Sequence, residues 1–292
     1  MANIAYRSNH VMENSPYQSF LLMQEILIYQ LEELIEEGLL TEEECDKVDF
    51  GNRIDKVNYE KLYNGRFKLL KKAYKKSNIS EKEDFDKFKS ENCYWLNDYA
   101  MFMAIKDRFN GQSFDKWAED IKLRWEYSME YYQNELKDEI EFYKFIQYEF
   151  YRQWYKLKKY ANENGIKIIG DIPIYVAYDS ADVWAHPELF QMDENGKPVA
   201  VAGCPPDGFS ATGQLWGNPL YRWDYHKQTN YDWWIKRIER SVKLYDVVRI
   251  DILEGLMSII QFQLRMKMQQ TDIGKRDLGL TYLMQLNIVL VM

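Results

Sequence analysis

Cysteine is scarce in this chain: Cys45, Cys93 and Cys204 are the only three in 292 residues. They are widely spaced and fit no metal-ligand pattern, which argues against a disulfide framework or a zinc site and favours a reducing compartment, the cytoplasm. Long apolar runs are also missing. No stretch approaches the ~20 residues that a membrane span needs, and the first residues, MANIAYRSNHVMENSPYQ, contain no apolar segment of the secretory kind. A soluble cytoplasmic protein with no membrane partner is expected. Positive charge is in deficit as well, with 38 basic against 46 acidic residues and a pI near 5.2. That balance removes the electrostatic footing for binding nucleic acid and leaves a neutral ligand or a protein as the better-fitting partner. Histidine is rare, and His186 and His226 read as ordinary loop residues with no catalytic partner spacing.

What is abundant is apolar and aromatic. Hydrophobic residues make up 46% of the chain, enough for a sizeable core in one large domain or two ordinary ones. Nine Trp and 23 Tyr bring the aromatic share to 16%. Such rings both stack on sugar faces and fill cores, so position has to decide between the two. From Leu31 to about Phe109 the apolar residues recur at spacings of three and four, as in several amphipathic helices. A longer helix is predicted from Lys137 to Asn162. Its stripe is Phe142, Ile146, Phe150, Trp154, Leu157 and Ala161, and Asn164-Gly165 ends it.

The run IKIIGDIPIYV that follows is β-branched, short and bounded by glycine, which predicts a buried strand. A second strand is predicted at DVVRI, Asp246 to Ile250, after a helix carrying Trp233, Ile235, Ile238 and Val242. Helix, strand, helix, strand is the rhythm of a parallel α/β fold, in which chemistry gathers where strands end. Asp171 and Asp251 are therefore the first carboxylates to weigh. Between the strands, Asn195-Gly196 predicts the tight turn of a hairpin. PPDGFSATGQLWGNPLYRW then combines Gly, Pro and polar residues with Phe209, Trp216, Tyr221 and Trp223, the composition of a structured functional loop rather than an idle connector.

Three segments, GDIPIYVAYDSADVWAHPELF, AGCPPDGFSATGQLWGNPLY and LYDVVRID, together with SPYQSF at Ser15 to Phe20, resemble the amylomaltases, the 4-alpha-glucanotransferases of glycoside hydrolase family 77. The resemblance implies an α/β fold: a partial (β/α)8 TIM barrel with helical insertions, working without metal or organic cofactor. It implies retaining transfer of α-1,4-glucan segments to glucose or maltodextrin acceptors. Such chemistry uses two carboxyl groups about 5–5.5 Å apart, one ionised and one protonated. Asp251 stands at the position of the family's nucleophile. Arg249, two residues earlier on the same face of the strand, would keep that carboxylate charged. Asp207, Gln214, Trp216 and Asn218 match the loop over the substrate cleft, where a ring stacks on glucose and amides bond hydroxyls. Tyr17 and Asp171 match glucan-contacting positions, although a packing Tyr and a turn-capping Asp account for them nearly as well. A non-catalytic glucan-binding protein and an α-glucan hydrolase are the alternative functions.

The chain departs from the family pattern after Asp251, where Ile252-Leu253-Glu254-Gly255-Leu256 replaces the family's H-F-R-G-F. With suitable codons, reinserting one base after Asp251 restores DHFRGFDEYYSI. The same test on Leu21 to Ile28 yields AYAGNPY, and on the first residues WQILPIGPT. One-base gaps in the gene are the expected cause. Three regions follow: 1–135, a barrel portion with a helical insertion; 136–251, the barrel core with two strands, the active-site loop and the nucleophile; and 252–292, an out-of-frame tail. On this reading the family's acid/base Glu lies beyond the chain, which is expected to be inactive and poorly stable as written.

Overall fold

The computed structural model describes residues 31–51, 58–204, 206, 211–251 and 288–291. The expectations placed on residues 1–30 and on 252–287 lie outside these.

The first part of the described chain is helical: α1 (Leu31–Glu36), α2 (Glu42–Asp46), α3 (Tyr59–Lys76), α4 (Glu83–Arg108), α5 (Glu119–Lys122), α6 (Glu126–Glu135) and α7 (Lys137–Glu163). Local chemistry starts several of them. Thr41 and Glu44 form a reciprocal capping box at α2, and the Asn58 side chain accepts from the Lys61 amide at α3. The long helices α4 and α7 lie against each other and interleave their rings. Tyr99 meets Tyr143 edge-on at 6.3 Å, Phe85 meets Tyr148 at 5.5 Å, and Phe67 of α3 meets Phe142 at 5.2 Å. Each such pair adds ~0.5–1.5 kcal/mol to the simple burial of apolar area.

The α7 stripe is buried at Phe142, Ile146 and Phe150, as the spacing predicts, but it stops early. The Trp154 indole donates to the Leu244 carbonyl at 2.9 Å and packs edge-on against Tyr245, filling the crossing with the chain that enters the sheet. Beyond it Leu157 is 47% exposed, although Lys158 and Asn162 of the last turns still bond the chain that enters β4. Gly165, at φ +76°, ends the helix, with the Ile166 amide reaching back to the Ala161 carbonyl at 2.9 Å.

A parallel sheet follows, in the order β1 (Ile169–Ile172), β4 (Val247–Asp251) and β5 (Ile288–Val291). Between β1 and β4 come α8 (Ala181–Ala185), the antiparallel hairpin β2 (Val201–Cys204) and β3 (Gln214–Pro219), α9 (Trp223–Gln228) and α10 (Asp232–Leu244). The second strand is thus one residue later than predicted. Asp246 stays out of it because its carboxylate accepts from the Ile168 amide and from Asn162 Nδ2, both at 2.8 Å, tying the entries of β1 and β4 together. The Tyr245 ring lies on Gly170, where a Cβ would sit 2.2 Å from it, so only glycine fits that position in β1.

Helix α10 does not fully bury the apolar residues that mark it in the sequence. The fully buried line is Trp234, Arg237, Ser241 and Leu244 with Arg240, while Trp233, Ile235, Ile238 and Val242 are half-buried. The two arginines go inside because each finds acceptors and rings there. Arg240 Nε donates to Tyr151 Oη at 2.8 Å, Nη1 donates to Asn92 Oδ1 at 2.7 Å, and the guanidinium lies 3.9 Å from the Trp95 ring centre. Among the described residues no helix is long and apolar enough to cross a membrane.

Candidate functional site

The parallel register sets Asp171 directly opposite Arg249. Their side chains join in a two-pronged ion pair: Arg249 Nε donates to Asp171 Oδ1 at 2.5 Å, and Arg249 Nη2 donates to Asp171 Oδ2. Both remain partly open to solvent, 41% exposed for Arg249 and 36% for Asp171. A forked guanidinium-carboxylate contact fixes orientation as well as charge. The Asp171 carboxylate therefore bonds Arg249 rather than capping the turn before Pro173. Two residues on, the backbone of Asp251 closes β4, paired with Val291 of β5. Asp251 is the last residue of the strand rather than the first beyond it; its side chain, with Tyr17 and Asp207, lies outside what is described.

The exit of β1 is held by α10. Arg237 Nη1 donates to the Ile174 carbonyl at 3.2 Å and to Tyr221 Oη at 3.3 Å, and Nη2 donates to the Pro173 carbonyl. Tyr221 Oη in turn donates to the Ile174 carbonyl at 2.7 Å. A run of backbone carbonyls just past a strand end thus receives its donors from one helix and one phenol.

On β3 the Trp216 indole is 40% exposed and donates to Gln214 Oε1 at 3.0 Å. Its ring centre is 6.4 Å from Tyr175, which stacks on the buried Tyr221 at 5.9 Å and 13°. A ladder of rings therefore runs from the surface at Trp216 into the core. Gly217, at φ +78°, interrupts strand alternation, and the next residue turns inward: Asn218 is 6% exposed and its Nδ2 donates to the Val176 carbonyl at 2.8 Å. Asn218 thus fastens β3 to the segment after β1, whereas Gln214 and Trp216 face outward. Tyr221 and Trp223, both in the aromatic loop of the sequence, belong to a core cluster with Trp233, Trp234 and Phe190.

The two histidines are not loop residues of one kind. His226 sits in α9, buried, with Nε2 3.1 Å from the Leu189 carbonyl, so that nitrogen carries the proton; burial pushes its pKa down to about 4. His186 ends α8, with Nδ1 3.3 Å from Glu188 Oε1, and that contact raises its pKa. Neither lies in the Asp171–Arg249 pair. Among the described residues no group of three or more His, Cys, Asp or Glu is arranged to hold a metal ion.

Residues 4–274 match the family model described as 4-alpha-glucanotransferase. The chain belongs to that family. It is 47% identical over 244 residues to the 4-alpha-glucanotransferase of Clostridium butyricum, a match covering 83% of this chain and 50% of the relative. It is 45% identical over 248 residues to the enzyme of the same name from Streptococcus pneumoniae, covering 84% and 49%. The structure superposes on the amylomaltase of Streptococcus agalactiae, solved in complex with acarbose, with a TM-score of 0.77 and 42% identity, covering 83% of this chain and 50% of that one. The chain spans about half the length of the relatives it matches. Of the motifs that carried the resemblance, SPYQSF lies outside the described residues, and the other three include β1, the strands of the β2–β3 hairpin and β4, the elements that build this site. Two residues that shape it were not singled out in the sequence. Tyr175 lies inside the GDIPIYV motif and was readable there. Arg237 had only one signal, a cation on the sheet-facing side of an amphipathic helix.

Proposed function

We propose that this chain carries the nucleophile-bearing part of a 4-alpha-glucanotransferase site, which moves α-1,4-glucan segments to glucose or maltodextrin acceptors by retaining double displacement. The observation that carries the reading is the Asp171–Arg249 pair, set by strand register two residues before Asp251. In this reading Asp251 attacks the anomeric carbon, the glycosidic C–O bond breaks with the departing 4-hydroxyl protonated by the family's acid/base carboxyl, and a glucan-enzyme ester forms. Arg249, oriented by Asp171, keeps the Asp251 carboxylate ionised, since a nearby cation favours the charged form. Trp216 stacks on a glucose ring, Gln214 and Asp207 bond its hydroxyls, Tyr17 adds a further contact, and Asn218 positions β3. No metal or organic cofactor enters this chemistry. The three parallel strands would belong to a (β/α)8 barrel, with residues 1–135 supplying a barrel portion with a helical insertion, 136–251 the core with β1 and β4, and the out-of-frame tail 252–292 adding β5 beside β4, in a cytoplasmic protein.

The test uses α-maltotriosyl fluoride. Fluoride leaves without being protonated, so only the nucleophile is required: the C–F bond breaks, fluoride departs and an ester forms at the carboxylate. The expected result is a maltotriosyl mass increase on the peptide containing Asp251, lost in Asp251→Asn. Maltodextrin binding with no adduct would replace this reading with a non-catalytic glucan binder. Release of free sugar to water, with no longer products when maltose is added as acceptor, would replace it with a hydrolase.

A further inference from the structure

A second cleft opens between α4, α8 and α10, with a volume of about 220 Å³. None of Asp171, Arg249, Gln214 or Trp216 lines it. Its walls are aromatic: Tyr94 at the rim, 42% exposed, with Trp95, Tyr225 and Trp233. Its polar groups are the carboxylates Asp98, Asp182, Glu188 and Asp232 with Thr229, His186, Lys236 and Arg237, and three of the four carboxylates already meet a basic side chain. Asp98 meets Arg124 at 2.7 Å, Asp232 meets Lys236 at 2.6 Å, and Glu188 meets His186 at 3.3 Å. The exception is Asp182, which is 93% buried, being only 7% exposed. The Arg237 charge is near it, but the one hydrogen bond its side chain makes among the described residues is from Trp233 Nε1 to Oδ1, at 3.2 Å.

These features select a ligand class. A free cation or anion gains little from a site whose charges are paired internally. A neutral molecule rich in hydroxyls can donate to the open Asp182 oxygen and to the remaining lone pairs of the other carboxylates, while presenting a C–H face to the rings. The volume is below the ~300–1,000 Å³ of sites for drug-sized ligands and suits a single sugar ring. We propose that this cleft is a second carbohydrate site, holding one glucosyl unit of a neutral α-glucan. The proposal rests on the glucan reading of the first site.

The test titrates maltotriose into the ¹⁵N-labelled chain and follows the indole N–H resonances of Trp233 and Trp216, assigned from Trp233→Phe and Trp216→Phe. Trp233 reports the cleft directly through its bond to Asp182. Both resonances are expected to move and saturate. Tyr94→Ala, at an exposed position that leaves the core intact, is expected to weaken the Trp233 response at least tenfold with the Trp216 curve unchanged. Saturation at Trp216 with Trp233 unmoved would overturn the second site while sparing the first. Movement at Trp233 alone would support the cleft and remove Trp216 from the glucan reading. No movement at either would overturn both.

Discussion

Replacing Asp171 by Asn and Arg249 by Gln, singly and together, measures the pair at the centre of the site. The contact is forked and charge-assisted, with one arm at 2.5 Å, but the side chains are 36% and 41% exposed. Fully exposed pairs couple by ~0.2–1 kcal/mol, while breaking a fully buried pair costs ~3–5 kcal/mol. Partial exposure and good geometry place this pair near the top of the exposed range, about 1 kcal/mol of coupling. Each single variant is therefore expected to lose about 1 kcal/mol in urea unfolding, or ~2–4 °C in melting temperature. The double variant should lose little more than either single one. In 1 M salt, where the screening length is ~3 Å, the coupling should shrink. In the maltotriosyl fluoride reaction, Arg249→Gln should move the acid limb of the pH profile upward, because removing a cation raises a neighbouring carboxylate's pKa. A coupling below about 0.3 kcal/mol that ignores salt would refute the view that these residues orient each other.

Two further outcomes follow from groups around the site. His226 is held neutral in the fold with a pKa of about 4, below the ordinary value of 6.5. Its contribution is fully present above pH 6.5 and is lost as pH falls towards 4, since the unfolded chain takes up the proton first; His226→Gln, which keeps a donor for the Leu189 carbonyl, should flatten the fall in stability across that window, as read by urea unfolding at successive pH values. Asn218→Ala leaves the buried Val176 carbonyl without its 2.8 Å donor, at an expected cost of about 1–3 kcal/mol in urea unfolding.

The elements were legible where one periodicity governed them. The α7 span, its Asn-Gly stop, the Asn195-Gly196 turn and the second strand are legible because apolar spacing, β-branching and turn residues agree, whereas the first strand keeps only Ile169–Ile172 of the β-branched run and Ile169 is 67% exposed rather than buried. The misses share a cause. The α7 spacing runs on through Leu157 and Ala161, yet Leu157 is exposed, because periodicity cannot show which positions meet a packing partner. On α10 the apolar residues Trp233, Ile235, Ile238 and Val242 are only half-buried, while the cations Arg237 and Arg240 share the buried line with Trp234 and Ser241. A hydropathy stripe cannot locate a cation whose burial depends on carbonyls and rings more than 60 residues away in the chain. His226 was misplaced for the same reason, since its acceptor at Leu189 belongs to another segment.

The site shows the same division. The residue types at β1, β3 and β4 were readable as glucan chemistry only through the motifs, whereas their arrangement depends on polar contacts that no motif names. Arg237 binds carbonyls at the exit of β1, Asn218 ties β3 to Val176, and Tyr175 joins the Trp216 surface to Tyr221. Arg237 links α10, and Asn218 and Tyr175 link the β3 motif, to the exit of β1. An apolar replacement could fill the same space, but it would leave the Pro173, Ile174 and Val176 carbonyls without donors in a buried setting. The polar core behind the sheet is therefore what holds the Asp171 strand end and the Trp216 hairpin in one fixed relation, and the proposed glucan site depends on that relation.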